Sequence, residues 1–190
     1  MALGTRNAIL NTFAEMLHKM PFSEITVTAL VKNCGISPNT FYYHYEDIYA
    51  LLNDFIGGFV SYFAVGDKDS NYQSTYDSIC ALLTAFKENE QSVYHIVDSI
   101  SMNFIARGSL EVGKDAIRSH VLCAAKSIEG EVPQHAIDAI VDYCYYAIVG
   151  NIIRFCWQHM NADIESTARQ LDVLTTATIN ESLRAVTNSK

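Results

Sequence analysis

Apolar residues recur at spacings of three and four along almost the whole chain, and no stretch alternates convincingly between apolar and polar positions. The pattern predicts helices throughout. Ile9, Phe13 and Leu17 describe a first helix that stops at Met20-Pro21, with Phe22 just beyond, because proline disfavours helical geometry in the residue before it. Thr26 is placed to cap a short second helix carrying Leu30 and Val31, which ends at Cys34-Gly35. Ser37 caps a third, with Pro38 at the first helical position, where a missing N–H costs nothing. Glu46 and Asp47 open a fourth, favourably placed against its positive end, and it runs through Leu51, Leu52, Phe55 and Phe59. Beyond the polar stretch Asp67–Asn71, further helices are expected at about 72–89, 91–106, 110–129, 133–160 and 163–187.

The expected fold is therefore all-α, about nine helices. A compact three-helix head occupies residues 1–47 and a larger helical body residues 48–190. Between Ile137 and Trp157 apolar residues lie on nearly every helical face, and such a helix must be covered all round. The final helix carries an apolar stripe. Paired with their symmetry mates, these two helices would form a four-helix dimer interface through Ile148, Ile152, Phe155, Leu171, Leu174 and Leu183. The alternative is that both simply complete the core of a monomer.

Composition narrows the class. The chain has 190 residues, 49% hydrophobic and 18% charged, ample for a real core and unlike a disordered segment. The uncharged runs Phe55–Gly66 and Tyr143–Ile153 fall short of the roughly 20 apolar residues of a membrane helix. No signal-peptide core follows Met1, so a cytoplasmic location without a membrane partner is expected. Five scattered cysteines fit reduced thiols. With 13 Lys+Arg against 21 Asp+Glu the net charge is −8, which at first speaks against a nucleic-acid partner.

The head changes that view. Three short helices with a glycine-bearing turn between the second and third describe a helix-turn-helix, whose third helix would enter the major groove. In that helix Phe41 and Tyr45 share an inner face, to pack on Leu30, Val31 and Ile36. Asn39, Thr40, Tyr43 and His44 point outward, with side chains suited to base edges and phosphate oxygens.

From Phe22 to Leu52 the sequence resembles the TetR family of bacterial transcriptional regulators. The resemblance lies in Ile25-Thr26-Val27, Val31, Cys34-Gly35-Ile36-Ser37, Thr40-Phe41-Tyr42-Tyr43-His44-Tyr45 and Leu51-Leu52, about the first quarter of the chain. It implies a homodimer that binds a palindromic double-stranded DNA operator and is released by a small-molecule effector, most simply as a repressor. It also implies phosphate contacts from Thr26 and Thr28, base or backbone contacts from Ser37, Asn39, Thr40, Tyr43 and His44, and a backbone contact from Tyr42. For the body it implies a pocket, with Phe59, Tyr62, Phe63, Phe86, Tyr94, Met102, Phe104, His120 and Tyr146 as candidate lining for a moderately apolar molecule.

Two departures matter. Ile48 stands where many members of the family place a phosphate-binding lysine, and residues 1–50 carry Arg6, Lys19 and Lys32 against Glu15, Glu24, Glu46 and Asp47, a balance of 3 − 4 = −1. That shortage favours a second reading, a dimeric co-regulator that works mainly through protein partners. Gly57-Gly58 within the fourth helix suggests a pivot between head and body, or else a face on which another helix packs closely. Enzymatic readings fare poorly. Gly108–Lys114 begins like a phosphate loop, but Asp115 replaces the required Ser/Thr and no strand precedes it. His120 and Cys123 share a helix face without a CxxC or HxxxH to complete a metal site. No catalytic residue, cofactor or metal is expected.

Overall fold

The computed structural model describes residues 2–64, 74–99, 113–128 and 130–187, and among these it contains nine α-helices, one 3-10 turn and no strand. They are α1 (Ala2–Lys19), the turn Phe22–Glu24, α2 (Val27–Cys34), α3 (Pro38–His44), α4 (Ile48–Ala64), α5 (Thr75–Glu88), α6 (Glu90–Val97), α7 (Lys114–Ala125), α8 (Gln134–Trp157) and α9 (Ile164–Thr187). The chain is all-α, as its hydrophobic pattern demands.

Local chemistry sets the boundaries of the first four helices. Thr26 Oγ1 accepts the Ala29 N–H at 3.2 Å and opens α2. Gly35 closes it in the left-handed region (φ 70°), with the Gly35 N–H donating to Lys32 O and the Ile36 N–H to Val31 O, the pair of bonds that ends a helix tightly. Ser37 Oγ accepts the Thr40 N–H at 3.1 Å to open α3. Asp47 does more than complement the dipole of α4: its Oδ1 accepts the Ala50 N–H at 2.8 Å.

Contacts divide the described residues into two units, one within Met1–Phe59 and Phe86–Leu110, the other within Val60–Ala85 and Glu111–Lys190. In the first, the inner faces of α1 to α4 meet around Phe13, Leu17, Leu30, Phe41, Leu51 and Leu52, all fully buried. Phe13 meets Phe22 and Phe55 edge to face, at 6.2 and 5.5 Å between ring centroids. Helix α6 belongs to this core through Ile96, and His95 Nδ1 lies 2.7 Å from Leu17 O, where it serves one of the carbonyls left open at the end of α1.

In the second unit α7, α8 and α9 pack around Val121, Ile137, Ile140, Val141, Cys144, Ile179 and Leu183. Two ion pairs one turn apart zip α7 to α8: Lys114 to Asp142 at 2.9 Å and Arg118 to Asp138 at 2.7 Å. The Arg118 hydrogen bond holds the Asp138 carboxyl below the usual carboxylate range. By length and mean hydropathy (1.3) α8 reaches what a membrane span needs, although the uncharged runs within it are shorter; a third of its apolar window is buried. The same composition suits a helix covered on all sides by protein. All five cysteines are free, and burial pushes the Cys156 thiol up to about 12.

Two glycines predict opposite outcomes. Gly35→Ala forces a side chain into the left-handed region and is expected to cost about 1 kcal/mol. Gly58→Ala lies in a helix interior where an added Cβ meets nothing within 4 Å, so it is expected to stabilise by up to about 1 kcal/mol. Urea denaturation of both variants checks the signs.

Candidate nucleic-acid interface

Helix α3 has an inner and an outer face, as the spacing of its residues requires. Phe41 and Tyr45 are buried, their rings 5.7 Å apart. Opposite them Ser37, Asn39, Tyr42 and Tyr43 are exposed, Tyr42 at 57% and Tyr43 at 80%, while Thr40 and His44 are half-buried. The Tyr43 and His44 rings stand edge to face at 5.1 Å, which limits their freedom before any partner arrives. Ser37 Oγ and Thr40 Oγ1 share a 2.9 Å hydrogen bond, so one of these hydroxyl protons stays free to donate outward. Thr26 and Thr28 are exposed at the start of α2, and the Thr26 hydroxyl, accepting at its oxygen, also keeps its proton for a phosphate. The eight residues expected to contact DNA thus lie on exposed or half-exposed positions of α2 and α3.

Charge around this face is scarce. Of the cations Arg6, Lys19 and Lys32, Arg6 is engaged internally: its Nε donates to Asp54 Oδ2 at 3.0 Å, and a second guanidinium nitrogen donates to Oδ1. The Tyr45 hydroxyl donates to the same Oδ2 at 2.6 Å. One carboxylate on α4 therefore ties down α1 and the end of α3. The hydrogen bond that Arg6 donates to Asp54 raises the Arg6 pKa, and burial, followed by the bond to Asp54, holds the Tyr45 phenol well above its ordinary value.

Of the residues expected to line a pocket, the described ones fall in both units. Phe59 and Phe86 pack ring to ring at 5.6 Å in the first unit, which also holds Tyr94, whereas His120 and Tyr146 belong to the second. The side chains of Tyr62 and Phe63, and Met102 and Phe104 altogether, lie outside the described residues. His120 lines an open cleft of about 250 Å³ with Thr75, Cys123, Ala124, Ser127, Thr176, Ile179 and Asn180, and no Phe, Tyr or Trp takes part in it. Tyr146 instead lies exposed beside the Lys114 ammonium, 5.5 Å from its ring centroid. Among the described residues no group of three His, Cys, Asp or Glu could hold a metal ion.

The residues expected at a dimer interface separate by face. Phe155, Leu171 and Leu183 are buried within the chain, Ile148 and Ile152 are half-buried, and Leu174, at 63%, is exposed. The large apolar side chains exposed on α8 are Tyr143, Tyr146 and Trp157, and a Cβ added at Gly150 would meet nothing within 4 Å. Sequence reasoning also missed Asp54, His95 and the α7–α8 ion pairs. The i, i+4 spacings of Lys114/Arg118 and Asp138/Asp142 were a usable signal for the last; nothing in spacing links Arg6 to Asp54.

No family model matches the chain, and no curated protein matches it in sequence. Solved structures do match it in fold. The dihydroxyacetone kinase operon activator DhaS superposes with a TM-score of 0.62 at 18% identity, covering 93% of this chain and 97% of that one. A TetR transcriptional regulator from Streptococcus agalactiae 2603V gives 0.59 at 18% identity, covering 92% and 94%. At that identity the likeness establishes a shared all-α, TetR-like fold over nearly the full length.

The raised Tyr45 pKa carries a pH prediction. The fold holds the neutral phenol, so its stabilisation is complete below the ordinary tyrosine value, about 10, and is lost as pH rises beyond it. Tyr45→Phe is expected to flatten the alkaline limb of the stability–pH profile measured by urea denaturation. An unchanged limb would contradict the assignment.

Proposed function

We propose that this chain is a homodimeric bacterial transcription regulator, acting in the cytoplasm, that reads a palindromic DNA operator through α3 and is displaced by a small-molecule effector. The observation that carries the reading is the outward display of Asn39, Tyr42, Tyr43 and His44 on a helix fixed from behind by Phe41 and Tyr45, within a fold shared with transcription regulators. No catalytic role is assigned to any residue.

Dimerisation is supported by the apolar surface left on the second unit. Tyr143, Tyr146 and Trp157 on α8 and Val173 and Leu174 on α9 are exposed, and open space at Gly150 lets a second helix approach closely. Two heads would then address half-sites about 34–36 Å apart. Gly57-Gly58 in α4 is the proposed pivot through which an effector changes that spacing; open space at Gly58 leaves close packing without support there. We place the chain as a repressor, although the fold neighbour DhaS is an activator. The shortage of cations on the head favours one rival, a co-regulator that acts through protein partners.

Fluorescence anisotropy with duplex DNA flanking the protein's own gene tests the reading. Specific binding is expected, with His44→Ala or Asn39→Ala costing about 1–3 kcal/mol on the operator alone. Lys19 and Lys32 give four free cations per dimer, so the salt slope should be roughly 4 or less. No binding at low salt would favour the co-regulator. Trp157→Glu with Leu174→Glu is expected to yield monomers in sedimentation velocity; an unchanged mass would remove this face as the interface. The double variant Gly57→Ala, Gly58→Ala is expected to keep DNA binding and lose effector-driven release, and normal release would exclude the pivot. In a reporter strain, deletion should raise expression from the bound promoter; a fall would make the protein an activator.

A further inference from the structure

The Arg6–Asp54–Tyr45 cluster does something that packing alone does not require. Among residues 1–59 the cations are Arg6, Lys19 and Lys32, and Lys19 and Lys32 form no ion pair with any described residue. Arg6 is held by both oxygens of Asp54, a charge-assisted fork, although nearly half of its side chain is exposed. Asp54 Oδ2 also receives the hydroxyl of Tyr45, the residue that directly follows His44 at the end of α3. The guanidinium is therefore held one shared oxygen away from the residue that ends α3.

We propose that Asp54 is a positioning residue that withholds Arg6 from DNA phosphates, so that the head discriminates operators through neutral groups instead of through bulk charge. The inference rests on the DNA-binding reading above. A phosphate contact strengthens binding to every sequence alike, because it draws on counterion release and carries no base information. Neutralising Arg6 inside the protein lowers binding to unrelated DNA while leaving the contacts of Asn39, Tyr43 and His44 in place. That raises the ratio of specific to non-specific affinity, the quantity that matters in a genome full of competing sites.

The test is the salt dependence of anisotropy for the wild type, Asp54→Asn, Arg6→Gln and the double variant, on operator and unrelated duplexes. Wild type and Arg6→Gln are expected to share one slope, because Arg6 touches no phosphate. Asp54→Asn frees one cation per protomer, so its slope should steepen by about 2 for the dimer, with roughly ten-fold tighter binding to unrelated DNA at low salt. The double variant should return to the wild-type slope, a reversal that a merely structural role for Asp54 would not produce. Flattening of the slope in Arg6→Gln, or an Asp54→Asn slope equal to wild type, would overturn the proposal. Should circular dichroism show Asp54→Asn unfolded, Arg6→Gln alone decides, since flattening refutes and equality supports. Wild-type protein that binds no duplex at low salt would overturn the regulator reading and this one with it; binding with unaltered slopes overturns only this one.

Discussion

A helix of seven residues cannot hold itself together in water, and the burial of Phe41 is what makes α3 possible. Its ring is fully enclosed by the core of α1, α2 and α4, and the buried Tyr45 ring extends the contact to the end of the helix. Removing a buried phenylalanine costs about 3–5 kcal/mol, comparable to the whole stability of a marginal domain. The Ser37 cap fixes where the helix starts and the left-handed Gly35 fixes the direction from which it is entered. With start, direction and inner face determined, the outer residues Asn39, Tyr42 and Tyr43 have one arrangement left, exposed on the far side. The proposed DNA face is thus a consequence of how the helix is anchored.

Charge completes the picture in an unexpected direction. The net −8 of the chain lies mostly beyond the head, where residues 51–190 carry 10 cations against 17 anions. Locally the limit is sharper than the head's balance of −1 implies, because Arg6 is neutralised by Asp54. Such a surface is poorly equipped for sequence-independent attraction to DNA and better suited to contacts made by hydroxyls, an amide and an imidazole. The Asp54 carboxylate joins both properties, since it lends rigidity to the end of α3 and removes a cation from use.

What was legible in the sequence was local. Thr26, Gly35, Ser37 and Pro38 act on backbone groups within four residues, so type and spacing alone placed α2 and α3, and the three-to-four-residue period placed the inner faces of the helices. Interactions across long separations left no such trace. Arg6 and Asp54 are 48 residues apart, and His95 reaches Leu17 across 78. Helix α8 is harder to read: a helix apolar on every side does not announce which face meets its own core. Of the residues expected at an interface there, Phe155 is buried within the chain and Ile148 and Ile152 are half-buried, while Tyr143, Tyr146 and Trp157 are exposed.

The outer face of α3 is proposed to select a DNA sequence. Selection of the purified full-length protein against a random duplex pool, followed by sequencing of the bound fraction, tests it without presuming an operator. Enrichment of an inverted repeat is expected, with half-sites separated by one helical turn or a multiple of it, and its loss when Asn39, Tyr43 and His44 are replaced together by alanine. A bound pool as random as the input, or an enriched sequence that the triple variant selects equally well, would contradict it.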